Sequence, residues 1–275
     1  GCGRMPNCVY ASYWSPTGTT RAVTERIALT IAKELNLPCK VRSFTLPQER
    51  KEALKFAADD IVVFGMPVYA GRVPNIMLKY LKTMEGNKAL AIPVVVYGNR
   101  NYDDALIELK DLMEACHFQT IAGAAFVGEH SFSRILGAGR PDKEDLKKAD
   151  AFGVKVAAKI ADSSYTTPVK VNGQEPYRPY YIPRMPDGSN RNIIKVFPKV
   201  NDKCVKCGLC VKVCPLGTID PTDVSKYTGI CIKCGACIKA CPVEARYYDD
   251  EVYAYHKTNR EETFNGGKFS KKRKC

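Results

Sequence analysis

Through the first 160 residues, short apolar blocks alternate with amphipathic stretches. Cys8 to Tyr13 reads as a strand, and Thr19 to Leu35 carries Ala22, Ile27, Ile31, Ala32 and Leu35 at mostly helical spacing. Cys39 to Phe44 reads as a second strand. Asp60 to Met66 contains the run Ile61-Val62-Val63-Phe64, which has no polar face and so predicts a strand buried on both sides. Pro74 to Met84 predicts a helix opened by proline, and Leu90 to Tyr97 a fourth strand. Tyr102 to Cys116 is an amphipathic helix with Leu106, Leu109, Leu112 and Met113 along one side. Thr120 to Val127 is the fifth predicted strand, and Lys143 to Ile160 the last helix. Alternation of this kind builds an α/β fold, a parallel sheet with helices on both faces.

Residues 162–198 break the rhythm. Pro168, Pro176, Pro179, Pro183, Pro186 and Pro198 are spread through Tyr-, Arg- and Asn-rich sequence. The expectation is an extended linker strapped across a surface and anchored by Tyr177, Tyr180 and Tyr181. A small module follows at 199–250, and residues 251–275 read as a basic tail.

The module at 199–250 is an internal repeat of cysteines. Cys204-x2-Cys207-x2-Cys210-x3-Cys214-Pro215 is followed by Cys231-x2-Cys234-x2-Cys237-x3-Cys241-Pro242. This is the ligand run of bacterial two-cluster iron–sulfur proteins, in which the fourth cysteine of each run serves the other cluster. On that rule Cys204, Cys207, Cys210 and Cys241 hold one [4Fe–4S] cluster, and Cys231, Cys234, Cys237 and Cys214 hold the second. Gly208 and Gly235 follow the second cysteine of each run, where a bare backbone bends tightly. Zinc sites would also use eight cysteines, but zinc ribbons pair C-x2-C with a distant C-x2-C. A disulfide framework suits a small secreted chain. The start, Gly1-Cys2-Gly3-Arg4-Met5-Pro6, carries no apolar region of a secretory signal. Exposed clusters and the remaining thiols Cys2, Cys8, Cys39, Cys116 and Cys275 point to a reducing, anaerobic cytoplasm.

The formal charge is +13. Two ligated, oxidised clusters would contribute about −4 to the balance. Much of the excess sits in Lys268 to Lys274. Such a segment is a solvated terminus, a steering patch for an acidic redox partner, or a handle for nucleic acid or anionic lipid. Aromatic–basic interleaving over a long stretch is absent, which argues against nucleic acid. No apolar run approaches the roughly 18 residues of a membrane span.

After the first strand comes Ser15-Pro16-Thr17-Gly18-Thr19-Thr20, leading into a helix. Hydroxyls and backbone N–H groups at a positive helix end hold phosphate without a lysine. The same turn also serves as a plain N-cap. It is neither a Walker loop nor a dinucleotide fingerprint. Ser15, Thr17, Gly18 and Thr20 match the Ser/Thr-x-Thr-Gly-x-Thr loop of flavodoxins, with Thr19 at the variable position. The chain as a whole, over about 8–250, resembles the flavodoxin–ferredoxin fusion proteins. The supporting segments are Gly65 to Pro74, Tyr97 to Leu106 and Gly128 to Ser133.

That resemblance implies a flavodoxin-like five-stranded parallel sheet at 1–161 that binds FMN, then a small α+β 2[4Fe–4S] ferredoxin-like domain. It implies FMN phosphate on Ser15 to Thr20, and the ring between two loops. One loop is Pro67, Val68, Tyr69, Ala70 and Gly71; the other is Tyr97, Gly98, Asn99, Arg100 and Tyr102. Gly71 and Gly98 would allow close backbone contact with the ring. Tyr69, Tyr97 and Tyr102 are stacking candidates or core tyrosines. Arg100 is placed to stabilise an anionic reduced ring, or lies on the surface. Glu129 and His130 are either a proton relay or a loop cap.

Two function classes follow. In one, the protein carries electrons between FMN, the clusters and a partner such as a ferredoxin or oxidoreductase. In the other, it is a terminal reductase of a small molecule, fed through its own clusters. A carrier needs an exposed flavin edge; a reductase needs a covered pocket and a proton donor. Pairing of two copies is left open.

Overall fold

The computed structural model describes residues 6–182, 185, 187–190 and 193–264. The core is one parallel sheet built from β1 (Cys8–Tyr13), β2 (Cys39–Ser43), β3 (Asp60–Pro67) and β4 (Leu90–Tyr97), closed by two short pieces, β5 (Gln119–Thr120) and β6 (Ala124–Val127). The order is β2-β1-β3-β4-β5, with β6 also on β4, and every pairing is parallel. This is the 2-1-3-4-5 order of flavodoxin-like doubly wound sheets.

Alternation along the buried strands sends successive side chains to opposite faces. Ile61 and Val63 join α1 (Thr19–Leu35) and α4 (Lys143–Ala161) in one core. Val62 and Phe64 join α2 (Asn75–Leu81) and α3 (Ala105–Ala115) in the other. The Asp142 side chain accepts from Asp145 N–H in a capping box that starts α4.

The helix predicted to Met84 ends at Leu81, and two further boundaries differ from expectation for identifiable reasons. The predicted fifth strand is broken at residues 121–123, because the segment after α4 runs along that edge. Val169 N–H donates to the Thr120 carbonyl at 3.0 Å. A Cβ on Gly123 would come within 3.0 Å of Val171 Cγ1. The helix expected from Tyr102 begins at Ala105, because Asp103 sits at φ +42° and ends the helical path before it.

The strap continues over the sheet. Arg178 clasps the fully buried Asp104 through Nε at 2.9 Å and Nη2 at 2.7 Å. Tyr177 donates to Asp111. Tyr180 donates to the Val73 carbonyl at 2.5 Å, and Tyr181 N–H to the Ala70 carbonyl at 2.9 Å. Pro183 and Pro186 lie outside the described residues.

The cysteine module has a two-stranded antiparallel ribbon, β7 (Lys199–Val200) with β8 (Arg246–Tyr247), and short helices α5 (Leu209–Val213) and α6 (Ala236–Lys239). Its repeats match in backbone: Lys206 and Lys233 have φ of +54° and +56°, Gly208 and Gly235 of +73° and +74°. One expectation is corrected here. Residues 251–264, read as the start of a tail, form α7 (Glu251–Phe264). Its buried residues Tyr253, His256 and Arg260 share one helical face. They are polar or amphipathic, so hydropathy alone does not mark that face as a packing surface. Lys268 to Lys274 lie outside the described residues.

Candidate functional site

Three neighbouring features lie at the carboxyl ends of the strands, where ligands bind in doubly wound sheets. The first is the turn from β1 into α1. Gly18 takes φ +91° and supplies no side-chain cap, and the first turn of α1 holds no acidic residue. Ser15 fixes the turn: its Oγ accepts from Arg21 N–H, and its N–H donates to Thr45 Oγ1, both at 2.9 Å. Ser15, Pro16, Thr17, Thr19 and Thr20 line a small cavity there, with Pro67, Val68 and Tyr69 opposite. A Cβ on Gly18 would meet open space. A positive helix end without its own acidic cap is suited to an anion.

The second feature is an adjoining cavity of about 600 Å³. It shares Val68, Tyr69, Tyr97, Gly98, His130 and Ser131 with the first. Ala70, Gly71, Arg100 and Asn101 complete the floor. Asn99 and Tyr102 are not among the lining residues of either cavity. Tyr102 instead backs Tyr97, with ring centroids 5.5 Å apart. Tyr69 lies edge-on to Trp14 at 5.8 Å.

The two loop glycines have local reasons beyond ring contact. A Cβ on Gly98 would collide with the His130 ring, and one on Gly71, at φ +80°, with Asp103. Arg100 pairs with Asp103 and lies 5.3 Å from the Tyr181 ring centroid.

The roof of the larger cavity was legible in the sequence only in its strap; the parts from the cysteine module and α7 were not. It comes from Tyr180 and Tyr181 of the strap, Ile230 to Lys233 of the cysteine module, and His256 and Arg260 of α7. Phe132 bridges floor and roof, 5.0 Å from Tyr253 and 5.8 Å from His256. Burial and the surrounding cations hold His130 neutral, with its pKa down to about 3. Burial, Arg260 and Arg100 take His256 to about 4. His130 Nδ1 accepts from Phe132 N–H at 3.1 Å, which leaves its proton on Nε2. His256 Nε2 accepts from Arg260 Nε at 3.0 Å, which leaves its proton on Nδ1.

Glu129 does not line the larger cavity. It receives Lys239 Nζ of α6 at 2.5 Å, and so serves as a docking contact for the cysteine module. Arg50 supports the same docking by donating to the Pro215 carbonyl at 2.7 Å. A Cβ on Gly235 would collide with the Ser131 carbonyl, so the cysteine loop approaches the sheet loop backbone to backbone.

The third feature is a pair of cysteine cavities. Cys204, Cys207, Cys210 and Cys241 surround one; Cys214, Cys231, Cys234 and Cys237 surround the other. Each takes one cysteine from the opposite run. None of the eight is joined in a disulfide. Among the described residues, no three Cys, His, Asp or Glu side chains are gathered for a single ion. Polar groups already face the sulfurs: Ala245 N–H is 3.2 Å from Cys241 Sγ, and Arg246 Nη1 3.6 Å from Cys210 Sγ. Tyr248 Oη, beside the second cavity, is buried without a hydrogen-bond partner. A sulfur-bearing group in that cavity would supply the missing acceptor. The donor set and this orphaned hydroxyl fit a four-iron cluster.

The 4Fe-4S dicluster domain matches residues 203–245. That span contains all eight cysteines. Among solved structures, a flavodoxin from the domain Archaea is 19% identical over 56% of this chain and 99% of its own, with TM-score 0.41. A flavodoxin of Megasphaera elsdenii is 15% identical over 54% of this chain and 98% of its own, with TM-score 0.37. The rubredoxin oxygen:oxidoreductase of Desulfovibrio gigas is 13% identical over 58% of this chain and 38% of its own, with TM-score 0.42. Strand order and register, and not these likenesses, define the fold of the sheet domain. No curated protein matches the chain. Among the described residues no helix is long and apolar enough to cross a membrane.

Proposed function

We propose that this chain is an electron-transfer flavo-iron–sulfur protein, with FMN in the joined cavities and a [4Fe–4S] cluster in each cysteine cavity. The observation that carries the reading is a shared wall. Cys231, of the second cysteine cavity, also lines the larger cavity, opposite Tyr69 to Gly71 and Tyr97 to Gly98. Ser15, Thr17, Thr19 and Thr20 would hold the phosphate, with Gly18 opening the turn. Pro67 to Gly71 and Tyr97, Gly98 and Arg100 would flank the ring. When bound, FMN exchanges electrons in pairs or singly, and each cluster exchanges one. The protein's part is to hold these groups close, exclude water, and set local charge.

The cover over the larger cavity favours the terminal-reductase form of this reading. Strap, cysteine loop and α7 enclose the space above the flavin loops. His130 and His256 hold neutral, proton-bearing imidazoles on its wall. A small-molecule substrate would enter there, and a separate redox protein would charge the clusters.

A stepwise anaerobic reductive titration tests the proposal, with flavin and iron counted first and absorbance and EPR followed together. About one FMN and about eight irons, with electrons equilibrating between flavin and cluster signals, support it. Full iron with no flavin after incubation with FMN overturns the flavin half. Trp14, the only tryptophan of the chain, is buried beside Tyr69, so its fluorescence reports flavin binding directly.

A further inference from the structure

Arg260 is buried to 7% exposure on α7 and faces the larger cavity. Charged side chains are seldom this buried without an opposite charge. Among the described residues, no carboxylate pairs with Arg260. Its partners are neutral: the imidazole of His256, and the Tyr181 ring, whose centroid lies 4.7 Å from its Cζ. The nearby guanidinium of Arg100 sits against the same ring, but Arg100 already has Asp103. The other cation of the roof, Lys233, has its ammonium held by the Ile194 and Cys231 carbonyls at 3.2 and 3.0 Å. Arg260 is therefore a buried cation with no hydrogen-bonded carboxylate of its own: Asp103 acts on it only through space and is already paired with Arg100.

The roof also carries an apolar part. Ile193, Ile230 and Ile232 line it near Phe132. A guanidinium presents a planar fork of donors that matches a carboxylate in two parallel hydrogen bonds. The phosphate of the proposed cofactor belongs at the other end of the joined cavities, on the turn before α1. Its isoalloxazine belongs against the floor loops. Arg260 comes from neither place but from the cover.

We infer that the larger cavity binds a small apolar monocarboxylate between the floor loops and α7, with its carboxylate on Arg260 and its hydrocarbon body among the roof isoleucines and Phe132. The inference rests on the reductase form of the proposed function and names its substrate class. His256 acts as a positioning residue, since its Nε2 accepts from Arg260 Nε and holds the fork in one orientation. A cavity of about 600 Å³ is within the range that takes a small organic ligand.

Calorimetric titration of the cluster-loaded protein with cinnamate, and with its neutral amide, tests this. The titration is run with and without FMN. The expected result is saturable cinnamate binding, at least about tenfold weaker for cinnamamide, and weakened about tenfold by Arg260→Gln. Arg260→Lys, which keeps the charge but not the fork, should fall between. Equal affinity for acid and amide, no binding of either, or an unchanged affinity in both variants overturns the inference. Calorimetry does not need the flavin, so carboxylate binding and FMN binding are read independently. FMN uptake without carboxylate binding leaves the flavin reading standing and removes this one. Carboxylate binding without FMN uptake does the reverse.

Discussion

Lys239 on α6 donates to Glu129 on the loop after β6 at 2.5 Å and to the His130 carbonyl at 2.7 Å. Both side chains of this ion pair are largely covered, at 18% and 25% exposure. The pair joins the cysteine module to the sheet domain at the edge of the larger cavity. Lys239→Ala would leave Glu129 half-buried without its cation. The expected loss is about 1–2 kcal/mol, the scale of a charge-assisted hydrogen bond. It should appear as a lower denaturant midpoint and faster proteolytic cutting between the two parts.

Arg178→Ala should loosen the strap. Asp104 is fully buried and keeps only the Gln174 and Arg178 backbone N–H donors, each at 2.8 Å, once the guanidinium is gone. The pair holds Asp104 at a pKa of about 2. Loss of about 2–3 kcal/mol is expected, less than for a fully enclosed pair because Arg178 is itself partly exposed. Arg178→Lys should recover part of it, and denaturation curves of the two variants check this.

Stability should fall as pH drops below about 6.5, the unperturbed histidine value. His130 and His256 have folded pKa values lowered to about 3 and about 4, so the unfolded chain takes up protons first. Asp104 adds the same sign lower down: its contribution is present above the ordinary carboxylate range and is lost as pH falls toward about 2. Thermal melts from pH 7.5 to 5 should show Tm falling, and His256→Gln should flatten the slope. A rising Tm over that range would contradict the burial of both imidazoles.

Cys214→Ser should damage the second cluster, although Cys214 belongs to the first cysteine run. Its sulfur lies in the cavity of Cys231, Cys234 and Cys237. Iron content should drop from about eight toward about four, and the remaining EPR signal should match that of Cys234→Ser. If it matched Cys204→Ser instead, ligation would follow sequence order.

Arg246 is 4% exposed and touches both cysteine cavities electrostatically: Nη1 is 3.6 Å from Cys210 Sγ, and Cys237 responds to its charge. It is fixed by the Val224 carbonyl at 2.8 Å and the Tyr227 hydroxyl at 2.6 Å. Removing a nearby positive charge makes a cluster harder to reduce. Arg246→Met should lower midpoint potentials by about 60 mV, equivalent to tenfold for a one-electron couple. EPR-monitored redox titration measures it, and Arg246→Lys should restore part of the shift.

The strands Cys8–Tyr13 and Leu90–Tyr97 and the helix Thr19–Leu35 were legible to the residue because their periodicity is local and strong. The break in the last strand was not, because it depends on Val169 and Val171, some fifty residues away. In the site, the turn from Ser15 to Thr20 into α1 was readable, since one short segment builds it. Apart from the strap tyrosines, the cavity roof was hidden. Its members sit in three distant segments, and the face of α7 that closes it consists of Tyr253, His256 and Arg260, which look like surface residues until a cavity gives them a place. Gly98 shows a subtler limit: sequence marks the need for a bare backbone, but only the fold shows that His130 occupies the space.

The strap along β5 and β6 has a consequence for how copies of this chain meet. A parallel sheet ends in two rims of unpaired backbone groups, each a template for another strand. At one rim Val169 already takes the Thr120 carbonyl, so the chain's own polypeptide sits where a neighbour's strand would add. At the other, β2 alternates Lys40 and Arg42 around Val41, and Arg42 Nη1 donates to the Lys55 carbonyl at 2.5 Å. Bulk protects the first margin and positive charge the second, and together they guard the sheet against fibrillar growth.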